Sequence, residues 1–259
     1  MRSSPRYRIQ FPVAEVEHLD QDETYFYLIE SGEKQKIRFH DYEAIYRKPG
    51  LYEQLFYDRL KCQSPAKVAS VLRSSIEQAG DHLSELRVLD FGAGNGMMAQ
   101  ELSRYGISRC VGVDIIEAAR EAAERDRPEV YDDYLVEDFT ALTDERRREI
   151  AEWSFDCMVT VAALGFGDVP PEAFVEAFNL VQDNGWIAFN IKETFLDRSD
   201  RSGFSRLIRG LIQTNYIDLY FLERYRHRFS IEGKPLTYLA IGARKRRSLP
   251  AALLDEVRG

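Results

Sequence analysis

The sequence predicts a doubly wound, Rossmann-like α/β fold: a mostly parallel seven-stranded sheet that ends in an antiparallel hairpin, preceded by an N-terminal β-hairpin and a helical cap. Three observations carry this expectation. From Leu86 onward, short wholly apolar runs alternate with helical stretches, the pattern of βαβ units whose parallel strands are buried on both faces. The first of these runs ends in a glycine-rich turn, Gly92-Ala93-Gly94-Asn95-Gly96, that opens a helix. Near the C-terminus, two long β-like runs are joined only by Glu232-Gly233-Lys234, too short a link for a crossover helix, so that pair must be antiparallel.

In chain order, Glu23 to Phe39 reads as two β-like runs around Ser31-Gly32, a hairpin with its turn at the glycine. A helical stretch follows, broken at Pro49-Gly50 and restarted at Ser64-Pro65, where Ser suits the cap and Pro the first turn, and closed by Gly80. The core then alternates LRVLDF, a helix from Gly96 to Tyr105, CVGVD, a helix from Glu117 to Arg125, YLVEDF, a helix from Asp144 to Trp153, FDCMVTVAAL, a helix from Pro171 to Val181, and GWIAFNIK. This divides the chain into a hairpin and helical cap or lid over 1–63, a core over 64–247 and a tail over 248–259. The run Tyr225 to Arg228 and the basic Lys245-Arg246-Arg247 read as solvated strand segments.

Composition narrows the function. The 259 residues carry 35 Lys and Arg against 43 Asp and Glu, a net charge of −8, which offers no general attraction to a phosphate backbone, so no nucleic-acid partner is expected. No apolar run approaches the roughly 18–20 residues that span a bilayer, and the polar start MRSSPRYRIQ lacks a signal-peptide core; no membrane association and a cytoplasmic location are the expectations. Cys62, Cys110 and Cys157 stand singly, without metal-ligand spacing, so no metal is expected.

Glycines in the 92–96 turn let the backbone bend sharply and approach a ligand, and the helix that follows offers unpaired N–H groups. Two details separate this turn from the dinucleotide fingerprint G-x-G-x-x-G: the third glycine's position holds Met97, and Asp90 stands two residues before Gly92. A carboxylate there repels a pyrophosphate and attracts an ammonium group. Asp114 ends the next strand 22 residues past Gly92 (114 − 92), the spacing at which an acid accepts from ribose hydroxyls.

The stretch Asp90-Phe91-Gly92-Ala93-Gly94-Asn95-Gly96, D-x-G-x-G-x-G, resembles the first motif of class I S-adenosylmethionine-dependent methyltransferases. That resemblance implies S-adenosyl-L-methionine as cofactor and S-adenosyl-L-homocysteine as product. Asp90, Gly92, Ala93 and Gly94 would hold the methionine part and Asp114 the ribose. Asp138 would lie near the adenine amino group, with the strand-end neighbours Ile115, Phe139 and Ala162 completing the cofactor set. For a strand-end Asp the alternative role is a cap or a loop contact with solvent. Val161 to Pro170, together with Tyr52-Glu53 leading to Lys61 and Ser64-Pro65, is similar to the methyltransferase-like proteins of the Williams-Beuren chromosomal region. In that family the helices before the first strand cover the cofactor. The hairpin at 23–39 departs from its pattern.

Methyl transfer is an in-line displacement for which a protein supplies alignment, water exclusion and, in some cases, a base. Tyr52 and Tyr57, in the helix expected to cap the cofactor, are candidates to orient substrate or sulfonium, against half-buried aromatic filling as the alternative. His227 is a candidate base; His18, His40 and His82 have no supporting partner in the sequence. Asp168-Val169-Pro170-Pro171 lacks the aromatic of amino-methylating nucleic-acid enzymes, since Glu172 stands in its place, and Asp183-Asn184 reads as a turn rather than a metal site. The leading reading is methylation of a small molecule. An aminopropyl transferase would use a decarboxylated relative of the same cofactor. In a third reading the fold binds cofactor without catalysis, and its N-terminal region forms a partner or homodimer surface.

Overall fold

A computed structural model describes residues 5–12, 23–107, 109–165, 168–196 and 203–250. His18, Phe166, Gly167 and the tail beyond residue 250 lie outside the described residues. The N-terminal region forms a three-stranded antiparallel sheet in the order β1 (Arg8–Gln10), β2 (Tyr25–Glu30), β3 (Glu33–Arg38). The β2–β3 turn lies at Ser31 and Gly32, both with positive φ, the two-residue geometry whose twist matches a hairpin. The helical stretch after it is α1 (Tyr42–Tyr46), a turn through Pro49-Gly50, and a π-helical segment, Glu53–Arg59. Phe26, Leu28, Ile37 and Phe39 of the sheet region pack on Ile45, Leu51, Leu55 and Phe56 to form a core separate from the main sheet.

The main sheet has seven strands: β4 (Arg87–Phe91), β5 (Arg109–Asp114), β6 (Asp133–Val136), β7 (Cys157–Thr160), β8 (Trp186–Lys192), β9 (Ile217–Phe229) and β10 (Pro235–Lys245). They lie in the order β6-β5-β4-β7-β8-β10-β9, parallel from β6 through β8, with β10 antiparallel to both β8 and β9. Successive residues of β4 feed opposite layers. Leu89 packs among Phe174 of α6 (Pro171–Leu180) and Leu207 of α7 (Gly203–Gln213), while Val88 packs with Leu72 of α2 (Ser64–Ala79) and Met98 of α3 (Met97–Ser103). The remaining helices are α4 (Glu117–Asp126) and α5 (Asp144–Ala151). No helix among the described residues is long and apolar enough to cross a membrane.

Four readings of the sequence change. Ser64 does not cap α2: its hydroxyl turns into the core, 2.7 Å from Tyr225 Oη and 2.5 Å from His227 Nδ1, and a polar group so buried needs those partners. The Tyr225–Arg228 run is not solvated, because the N-terminal layer covers that end of β9 and leaves His227 and Arg228 each 5% exposed. Lys245 is buried as well, its ammonium donating to Val181 O and lying 3.8 Å from Asp183, and burial lowers its pKa to about 8. Finally, α7 stands between Lys192 and Leu219, where the sequence reading assigns no element, although Phe204, Leu207, Ile208 and Leu211 show helical spacing and are all buried.

Candidate active site

The C-terminal ends of the parallel strands open into two cavities that share walls. The outer one, about 410 Å³, runs from Gly92 over Asp114 and Ile115 to Asp138 and Phe139. The inner one, about 80 Å³, reaches from Asp90 and the glycine turn to His227 and Arg228. Tyr42, Tyr46 and Tyr52 of the N-terminal layer, with His40 and Asp168, border both.

Local hydrogen bonding fixes the glycine turn. Gly92 and Ala93 N–H both donate to Val113 O at 2.9 Å, and Gly94 N–H donates to Asp114 Oδ2 at 2.9 Å. Gly94 has φ +54° and lies under Tyr46: a Cβ there would come within 2.5 Å of the Tyr46 hydroxyl, so this position requires glycine for conformation and for space. Asn95 is 1% exposed and donates to Glu53 Oε1 at 2.8 Å, while Arg127 donates to the same oxygen at 2.8 Å and to Asn95 O at 3.0 Å. The π-helical segment is thereby tied directly to the turn.

Asp90 is 1% exposed and accepts from Tyr131 Oη at 2.7 Å; burial raises its pKa to about 7. Asp114 accepts Gly94 N–H on one oxygen and Ile116 N–H at 3.0 Å on the other. A carboxylate offers about four acceptor positions, so both oxygens keep capacity toward the cavity. Burial raises the Asp114 pKa and the backbone N–H groups partly oppose that rise. Ile115, 61% exposed, presents apolar surface beside it, and Phe139 is buried against Phe91 with ring centroids 5.1 Å apart. Asp138 is exposed, and it accepts from Thr140 N at 2.8 Å and Thr140 Oγ1 at 2.7 Å, which hold its carboxyl below the usual range. Its bonds are those of a turn cap, at the rim of the outer cavity. Ala162 has a left-handed backbone, φ +57°, and its N–H donates to Asn190 Oδ1 at 2.7 Å. Asn190 in turn donates to Tyr225 Oη and Ser64 Oγ.

Of the catalytic candidates, Tyr52 and Tyr57 pack ring to ring, with centroids 6.2 Å apart, and burial drives both phenol pKa values upward, so they remain protonated donors at neutral pH. His227 lines the inner cavity, and burial beside Arg228 pushes its pKa well below the ordinary value. One pair is absent from the sequence reading: His40 Nδ1 lies 2.7 Å from Asp168 Oδ1, across 128 residues of chain. No local spacing signals such a contact. In the tautomer that donates Nδ1–H to Asp168, Nε2 is the ring nitrogen with a lone pair.

The outer cavity, with Asp114, Ile115, Asp138 and Phe139 in its walls, has a volume within the roughly 300–1,000 Å³ of small-molecule sites. Residues 65–236 match the profile of a family described as a methyltransferase domain. A search of the curated proteins finds no match. Among solved structures, a candidate RNA methyltransferase from Pyrococcus horikoshii is 14% identical over 71% of this chain and 85% of its own, with a TM-score of 0.51. A SAM-dependent methyltransferase from Anabaena variabilis is 12% identical over 79% and 93%, with a TM-score of 0.50. Magnesium protoporphyrin IX methyltransferase from Synechocystis, with bound SAM, is 17% identical over 70% and 79%, with a TM-score of 0.49. At these identities the likeness concerns the fold.

Proposed function

Since the chain belongs to the methyltransferase-domain family and uses S-adenosylmethionine as its cofactor, we propose that it methylates a small molecule held beside His227 and Arg228 in the inner cavity, which it shares with the methionine part of the cofactor. The observation that carries this reading is the position of that cavity between the glycine turn and the aromatic N-terminal layer, a narrow space suited to a small ring. When bound, the cofactor supplies an electrophilic methyl group. Asp90 would face its ammonium, Asp114 its ribose hydroxyls, and Ile115 and Phe139 its base, with Asp138 at the rim. Gly92, Ala93, Gly94 and Ala162 would lie along its length as backbone.

The chain's own residues do the rest. Tyr52 and Tyr57 donate hydrogen bonds and exclude water, and the His40–Asp168 pair takes the proton from an acceptor hydroxyl or amine. Val161 to Pro170 supports placing the chain near the Williams-Beuren-region type within the family. The same geometry favours an enzyme over a cofactor-binding scaffold, because a scaffold has no use for a paired His and Asp at the junction of the two cavities.

Isothermal titration tests the reading. S-adenosylhomocysteine should bind and NAD should not, because Asp90 opposes a pyrophosphate. At a hundredfold excess over Kd the ligand should stabilise the fold by about 2.7 kcal/mol. Tight NAD binding with none for the homocysteine would defeat the assignment. A second expectation concerns Asp114→Ala, which should weaken cofactor binding ten- to hundredfold, the equivalent of charge-assisted hydrogen bonds worth about 1.5–3 kcal/mol. A folded mutant with unaltered affinity would move the ribose contact elsewhere.

A further inference from the structure

Arg228 sits at the C-terminal end of β9, 5% exposed, on the wall of the inner cavity. Its guanidinium donates to Phe229 O at 3.0 Å and lies over the rings of Phe39, at 5.3 Å, and Phe56, at 6.0 Å. No carboxylate pairs with it among the described residues, whereas twelve other Arg side chains among them lie within 2.8 Å of an acid. Burying a guanidinium without an anion is costly, and burial already lowers its pKa. Aromatic faces and one backbone carbonyl offset part of that cost and leave the charge unneutralised. Such a group in a cavity wall is suited to receive an anion.

Resting on the small-molecule reading above, we propose that the methyl acceptor is a small aromatic carboxylate, its carboxylate bound by Arg228 and its ring held among Phe39, Phe56 and Tyr238. Three observations select this class. The cavity wall beside Arg228 carries Phe39, Phe56 and Tyr238, aromatic faces that suit a single ring. Its walls supply one arginine and no lysine, beside the carboxyl groups of Asp90 and Asp168, which suits a monoanion held at the arginine and disfavours a phosphate dianion. The planar fork of the guanidinium fits a carboxylate with two parallel hydrogen bonds. Arg228 comes from β9, the outer strand, with β10, β8 and β7 between it and the β4 strand that carries Asp90, so the two residues enter the wall of the one cavity from different parts of the sheet. With the anion anchored at Arg228, the opposite end of the ring would point toward the glycine turn and the His40–Asp168 pair, where a hydroxyl or amine would meet the methyl group.

The test uses benzoate and 4-hydroxybenzoate against benzamide and 4-hydroxybenzamide, titrated into the full chain saturated with S-adenosylhomocysteine. The acids should bind at least tenfold more tightly than their amides. In Arg228→Met that preference should vanish while the Kd for S-adenosylhomocysteine stays unchanged, and the Tm of the ligand-free protein should hold or rise, since an uncompensated charge has been removed. A purely structural arginine would lower Tm and leave the preference intact. Equal affinity for acids and amides, or no binding of either, overturns the proposal. So does a tenfold loss of S-adenosylhomocysteine affinity in Arg228→Met, which would assign the guanidinium to the cofactor. Should that variant fail to fold, Arg228→Lys carries the comparison: a reduced acid preference supports the proposal and an unaltered one overturns it. If S-adenosylhomocysteine itself does not bind the wild type, the cofactor reading fails, and that result is distinct from the others.

Discussion

Replacing His40 by glutamine should lower kcat by about 10²–10⁴-fold, the usual contribution of a positioned general base. The side chain lies between the two cavities, its Nδ1 2.7 Å from Asp168, and the pair joins the N-terminal layer to the loop after β7. In the tautomer that donates Nδ1–H to Asp168, Nε2 can receive the proton that an oxygen or nitrogen acceptor must lose as its new bond to carbon forms. Glutamine keeps approximate size and polarity but cannot take up that proton. The loss should appear in kcat, with the Kd for S-adenosylhomocysteine within about threefold of wild type, because glutamine keeps approximate size and polarity in the cavity wall. Asp168→Asn should show a smaller loss, since His40 remains but its tautomer is no longer imposed. Radiolabelled methyl transfer to a hydroxyl or amine acceptor measures both. Wild-type turnover in a folded His40→Gln enzyme would remove the pair from the mechanism.

The glycine-turn side of the candidate site is more legible in the sequence than the side supplied by the N-terminal layer and β9, and the reason is topological. The turn at 92–96, Asp114 and the strand ends at Ile115 and Phe139 each lie within one βα unit, where spacing and local chemistry determine what comes together. The same locality made the terminal hairpin legible from three linking residues and the β2–β3 turn from Ser31-Gly32. His40 meets Asp168 only because a separate three-stranded sheet folds back over the strand ends, a long-range contact that no periodicity encodes. Arg228 reads as solvated beside Arg224 and Arg226 until the layer that covers it is in place. The burial of Ser64 and His227 has the same origin: polar residues at a strand end look exposed in a linear pattern and become a hydrogen-bonded core when a second layer is laid across them.

Asp90 should make cofactor binding strongly dependent on pH. Its carboxyl is buried, hydrogen-bonded by Tyr131, and raised to about 7 by desolvation, with the nearby Asp114 adding to the rise. Below that value the protonated form predominates in the free protein and offers a ligand ammonium no opposite charge. Affinity for S-adenosylhomocysteine should therefore fall by up to about tenfold for each unit of pH below 7, approaching a hundredfold between pH 7 and pH 5. The sign for folding is the reverse. A carboxyl whose folded pKa lies above the unfolded value of about 3.9 binds more protons in the native state, so the ligand-free protein loses stability as pH rises from about 4 to about 7. Ionised Asp90 thus weakens the empty fold and strengthens the occupied one, and the Tm increase caused by S-adenosylhomocysteine should grow as pH rises through that window. Titrations at pH 5, 6, 7 and 8, by calorimetry and by thermal shift, measure the two effects. Asp90→Asn separates Asp90 from Asp114, whose pKa is also raised by burial: the variant should bind weakly at every pH, and any slope it keeps belongs to Asp114. A wild-type affinity that is flat from pH 5 to pH 8 would mean that Asp90 does not face the cofactor's ammonium.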